Sequence, residues 1–200
     1  MRRILFAVLL VVACATGAAA DSTEDAFSAY ERGDDVLAAQ LFRRLAEQGY
    51  PQSQYVLGTM YANGQGVSKD YQEAMKWFRK AAEQGLVDVQ YKLGMVYQFG
   101  NNVPQDFQEA MKWYRKAAEQ GHAEAQYYLG MLYSNERGIS KDHVRSYMWY
   151  TLAIAKVHPD VAAMGKRLRD DVASQMTAAQ IEKAQKMARR CQETKFKECG

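Results

Sequence analysis

The sequence predicts an all-α protein built as a solenoid of stacked antiparallel helix pairs and closed by a C-terminal helical cap. Three observations predict it: a self-similar stretch with a 36-residue period, helical spacing of apolar residues in each period, and glycines where helices would end. Composition agrees, since 200 residues with 48% hydrophobic and 24% charged content suit a globular chain with a core. Only 3 prolines accompany 14 glycines, which favours helices joined by glycine turns.

The first element is an address. Met1-Arg2-Arg3 precedes an apolar run from Ile4 to Cys14, and Ala18-x-Ala20 stands before Asp21, the layout of a secretory signal peptide over residues 1–20. The run is too short for a membrane helix, which needs about 20 residues. No transmembrane segment is therefore expected in the mature chain. Val11-Val12-Ala13-Cys14 also resembles a bacterial lipobox, so cleavage after Ala20 and lipidation at Cys14 both stay open. Either route puts the body outside the cytoplasm, periplasmic or secreted. Removing Arg2 and Arg3 from the 26 basic residues leaves 24 against 23 acidic ones, a balance that excludes a nucleic-acid partner.

Two cysteines remain beyond the leader. Cys191 and Cys199, an even pair in an oxidising compartment, are expected to form a disulfide that closes a short C-terminal loop and contributes roughly 2–3 kcal/mol. His122, His143 and His158 form no helical ligand pair and no C-x-x-C is present, so no metal or cofactor is expected.

The repeats follow. Gln54-Tyr55-x-Leu57-Gly58 returns as Gln90-Tyr91-x-Leu93-Gly94 and Gln126-Tyr127-x-Leu129-Gly130, and Trp77, Trp113 and Trp149 keep the same register. In each period the first helix buries Leu57, Gly58 and Tyr61 or their equivalents, and the second buries Ala74, Trp77, Phe78 and Ala81. A mid-helix glycine costs about 1 kcal/mol against alanine, so its return at 58, 94 and 130 marks close approach of a facing helix, through Trp77 or Phe78 in the first case. Between the helices Gly64 and Gly66 permit positive φ, Asn102 substitutes for the second glycine in the next unit, and Val67 pins the loop. Asp70 with Glu73, and Asp106 with Glu109, read as a capping-box variant, and capping accounts for Asp70 better than catalysis does.

L-G-x-x-Y, G-x-G-V, D, and A-x-x-W-[FY]-x-x-A-A-x-x-G together resemble the Sel1-like repeat, a relative of the tetratricopeptide repeat. The resemblance implies a right-handed α-solenoid. It divides the chain into a degenerate tetratricopeptide-like first repeat at 22–52, Sel1-like repeats at 53–88, 89–124 and 125–157, and a cap at 158–200. The third repeat is the weakest, with Glu136 for a loop glycine and Ser146 for the alanine. In the cap, Pro159 suits a helix start and Thr177 with Gln180 forms a capping box, giving helices near 159–175 and 178–192.

The tetratricopeptide likeness implies that first-helix positions line a concave groove holding a protein or peptide. The candidate partner-binding residues are Tyr55, Thr59 and Asn63, then Tyr91, Met95, Gln98 and Phe99, then Tyr127, Met131 and Asn135. The tyrosines are invariant and fit structural stacking, whereas Thr59/Met95/Met131 and Asn63/Phe99/Asn135 vary as partner-reading positions do, with Met95 and Phe99 making the second Sel1-like repeat the expected hot spot, the alternative being that they pack on the adjacent repeat. Lys76, Lys80, Lys112 and Lys116 read as a solvated outer face, with an anionic polymer as the alternative. The leading expectation is a non-enzymatic, exported cell-envelope adaptor. Alternatives are a peptidoglycan- or β-lactam-directed enzyme or cell-wall glycan binder, and a lipid-anchored part of an envelope export complex. No S-x-x-K, G-x-S-x-G or H-E-x-x-H arrangement supplies a nucleophile or metal for the enzyme reading.

Overall fold

The computed structural model describes residues 17–135, 140–155 and 159–199; residues 1–16 of the leader with Cys14, the loop position Glu136 and His158 lie outside them. Ten α-helices and no strand are present among the described residues. The chain divides into two compact units, residues 1–84 and 85–200.

The first unit holds α1 (Gly17–Arg32), α2 (Asp35–Glu47), α3 (Pro51–Asn63) and α4 (Tyr71–Glu83). Helix α1 starts before Asp21, so a chain cut after Ala20 would begin inside it. Ala26, Ala29, Phe42, Leu45, Leu57, Met60 and Trp77 form one buried core, with Phe27 and Tyr30 edge-on to Phe42. Gly33 turns the chain with φ 79°, and Asp34 caps α2 by accepting the Leu37 N–H. Val67 packs on the same core, as expected of a loop pin.

The second unit holds α5 (Val87–Phe99), α6 (Phe107–Ala118), α7 (Ala123–Ser134), α8 (His143–Ile154), α9 (Pro159–Ala173) and α10 (Ala178–Glu193). Both cap helices pack on α8 and match the expected positions, and Thr177 and Gln180 form the full reciprocal capping box. Cys191 and Cys199, both buried, are joined by the expected disulfide, with Lys195 and Phe196 at positive φ turning the chain back towards Cys191. Ser146 is fully buried where the other repeats carry alanine, and its hydroxyl donates to the Gly130 carbonyl at 2.8 Å.

The mid-helix glycines do allow close approach. A Cβ on Gly58 would lie 2.7 Å from the Phe78 ring, on Gly94 2.4 Å from Tyr114, and on Gly130 2.7 Å from Tyr150. The contact is therefore made by the aromatic after the tryptophan, not by the tryptophan itself. Asn102 adopts φ 59°, as its substitution for glycine requires.

The capping box at Asp70 is only half formed. Asp70 accepts the Glu73 N–H at 3.0 Å, but its own N–H is taken by the Tyr61 carbonyl at 2.9 Å, leaving nothing for the Glu73 side chain to cap. Glu73 instead pairs with Lys76. Asp106 and Glu109 repeat the arrangement, with Asp106 N–H on the Tyr97 carbonyl and Glu109 beside Lys112. Lys80 and Lys116 lie over the rings of Trp77 and Trp113, at 4.2 and 4.7 Å from the centroids. The outer lysines thus serve local pairs and ring faces.

Candidate binding surface

Side chains of the first helices are placed by two kinds of contact that recur within each unit. Buried glutamines tie neighbouring turns: Gln54 Nε2 donates to the Ala46 carbonyl and Gln126 Nε2 to that of Ala118. Gln84 donates to Gln54 and Gln120 to Gln90. Arginines on second helices clasp the tyrosine of the next first helix, Arg43 on the Tyr61 hydroxyl at 2.5 Å and Arg115 on that of Tyr133.

On α3, Tyr55 is half-buried with its ring 5.8 Å from that of Phe78. Thr59 returns its hydroxyl to the Tyr55 carbonyl, and exposed Asn63 donates to Gln65. This face of the first unit is small and polar.

On α5 the same register carries Tyr91, Met95 and Phe99. Tyr91 is wedged against Tyr114, Tyr128 and His122, the imidazole stacked at 4.5 Å between centroids. Burial, with Tyr128 and Glu124 adding to it, pushes the Tyr91 phenol up to about 12. Met95 is half-buried, while Phe99 is 51% exposed, its ring edge-on to Tyr128 at 6.5 Å. On α7, Met131 is half-buried and Asn135 exposed, its amide donating to the Met131 carbonyl.

Two expected groove residues are buried instead. Gln98 turns inward, accepting the Tyr114 hydroxyl at 2.7 Å, because Tyr114 brings a phenol into the packed interface that needs an acceptor. Tyr127 lies against Tyr128 and Tyr150 and is covered by the cap helix α9 at Gly165.

Four residues absent from the sequence expectation complete the surface. Tyr128 stacks on Tyr114 at 5.2 Å and lies between Tyr91 and Phe99. His122 caps α7 by accepting the Ala125 N–H at Nδ1. Asp88 and Glu124 approach its Nε2 and Nδ1 at 3.6 and 3.4 Å. Tyr128 was findable, since its register position holds Val56 and Lys92 in the other repeats and so varies as Met95 and Phe99 do. Among the described residues, no group of three or more His, Cys, Asp or Glu is placed to hold a metal ion, and no helix is long and apolar enough to cross a membrane.

The Sel1 repeat pattern matches residues 28–50, 51–86, 87–122 and 123–158, each of the last three beginning at the first residue of α3, α5 or α7. The chain belongs to the Sel1 repeat family. Its first repeat, expected at 22–52 as a degenerate tetratricopeptide-like one, is matched as a Sel1 repeat at 28–50. Proteins of this family are interaction scaffolds that bind other proteins and are generally non-enzymatic. A Sel1 repeat protein from Oxalobacter formigenes superposes with TM-score 0.64 at 27% identity, over 80% of this chain and 75% of that one. A protective antigen of uropathogenic Escherichia coli superposes with TM-score 0.61 at 26% identity, over 92% of this Sel1 chain and 43% of its own. An exopolysaccharide production negative regulator of Rhizobium leguminosarum bv. viciae is 42% identical over 50 residues, 25% of this chain and 19% of the regulator. The Sel1 chain thus spans under half of the antigen and about a fifth of the regulator.

Proposed function

We propose that this Sel1 protein is an exported cell-envelope adaptor that holds a segment of a partner protein on the first-helix face of its second unit. The observation that carries the reading is Phe99, a large apolar side chain half in water where the sister repeats place Asn63 and Asn135. Such a side chain, bordered by Met95 and Tyr128, is what a partner would cover. Export is supported by the leader layout of residues 1–20 and by the Cys191–Cys199 disulfide, a bond suited to an oxidising compartment. The regulatory role of the Rhizobium relative fits an adaptor that acts by holding another protein.

The test is crosslinking and affinity recovery of the tagged chain from its native envelope, beside a Met95→Ala, Phe99→Ala variant with the same circular dichroism and melting temperature. Tyr91 is left intact because it is part of the packed aromatic layer. A specific protein recovered by the parent and lost by the variant is the expected result; equal recovery by both removes this face as the site. Intact mass of the recovered chain reads export at the same time. A start at Asp21 fits signal cleavage, and a diacylated Cys14 start replaces the free adaptor with the lipid-anchored one.

A further inference from the structure

The face that carries Phe99 is not uniform along its length. At the C-terminal end of α5 and α7 the described residues include Phe99, Asn101 and Asn135. At the other end the first turns of the two helices bring Asp88 and Glu124 to either side of His122, whose side chain is 14% exposed, while the carboxylates are 84% and 52% exposed. These residues, with Tyr91 and Lys92, line an open cleft of about 290 Å³. Two carboxylates face one lysine there, so acidic side chains outnumber the ammonium group in the cleft. The Nδ1 of His122 accepts the Ala125 N–H, which keeps the imidazole in place as the cap of α7.

From this asymmetry we infer that the held segment carries an arginine or lysine at the Asp88–Glu124 cleft and an apolar side chain on Phe99 and Met95. The inference rests on the proposed first-helix face and adds the chemistry of what it holds. Charge complementarity selects the cation, because a guanidinium or ammonium entering the cleft is attracted by both carboxylates that flank His122. Spacing follows from helix geometry. Residues 88 and 99 are separated by about 16 Å along α5 at roughly 1.5 Å per residue, a span that an extended chain covers in about five residues at roughly 3.3 Å each. Tyr128, lying between Tyr91 and Phe99, gives the intervening backbone an aromatic floor.

The probe is a phage-displayed library of random twelve-residue peptides, selected on the full oxidised chain. A recovered peptide is then titrated calorimetrically against the parent, an Asp88→Asn, Glu124→Gln variant and a Phe99→Ala variant. Expected are sequences with Arg or Lys about five positions from an aliphatic or aromatic residue. The double carboxylate variant should bind such a peptide about five- to tenfold more weakly, and change by less than twofold for the same peptide with norleucine at the basic position. Peptides that depend on Phe99 but show no basic preference overturn this inference and leave the binding face standing. If no recovered peptide depends on Phe99, both fall.

Discussion

The first helices α3 and α5 share one scaffold and differ in what they present. Both bury the glutamine, leucine and glycine of their repeats and both set a tyrosine against the facing aromatic, Tyr55 on Phe78 and Tyr91 on Tyr114. Yet α3 offers Thr59 and Asn63, already hydrogen-bonded within the chain, whereas α5 offers Met95 and a half-exposed Phe99. The invariant positions are thus the ones packing consumes, while Met95 and Phe99 at variable positions keep part of their surface in water. Beneath them the two interfaces also differ in one atom: Phe78 packs without a hydroxyl, while Tyr114 is tethered to Gln98.

High pH should separate the two units most strongly. Burial raises the phenols of Tyr91, Tyr114, Tyr127 and Tyr150, all in the second unit, with Tyr91 and Tyr150 reaching about 12 and Tyr114 going further. A phenol whose native value is raised holds its proton after the unfolded one, near 10, has lost it, so folding is unaffected below pH 10 and weakened from 10 to 12. Amide exchange at rising pH, corrected for intrinsic rates, should show α5 to α8 losing protection ahead of α3 and α4. Simultaneous loss in both units breaks the distinction.

The glycine contacts sharpen the comparison at the level of one methyl group. Gly94→Ala should destabilise the protein by about 2–3 kcal/mol, since the new Cβ meets a fully buried Tyr114 ring held by its hydroxyl. Gly58→Ala should cost only about 1 kcal/mol, because Phe78 is half-buried and has no tether. Urea titrations of the two variants measure the difference. Equal costs would mean that the Gln98 hydrogen bond does not hold the ring.

Period and glycine placement made the fold legible. The return of Gly58 at 94 and 130 identified a close helix contact, and Thr177 with Gln180 located the last helix to within a residue or so. The surface was legible only where it depended on exposure at a variable position, as at Phe99. Burial of Gln98 depends on a partner sixteen residues away, and reading one helix flank at a time does not reveal it. A signal was nevertheless present: Phe78 accompanies Ala62 whereas Tyr114 accompanies Gln98, so the hydroxyl occurs where the register offers a polar mate. Tyr127 is covered by α9, an element outside the repeat, and no periodicity within the repeats could have announced that.

The arginine clasps should give the smallest contrast. Arg43 and Arg115 occupy the same register and reach Tyr61 and Tyr133, but Tyr61 is half-buried while Tyr133 is buried. Removing Arg115 strands a phenol with less access to water, so Arg115→Met should cost about 1–1.5 kcal/mol and Arg43→Met about 0.5 kcal/mol. The retained thioether stem preserves most of the packing in both, which isolates the hydrogen bond. Because tyrosine is neutral below pH 10, the difference should persist from low to high salt in urea titrations. A cost that vanishes at high salt would instead assign the Arg115 contribution to the carboxylates around it, such as Glu119, whose carboxyl burial pushes up and the Arg115 charge draws part of the way back.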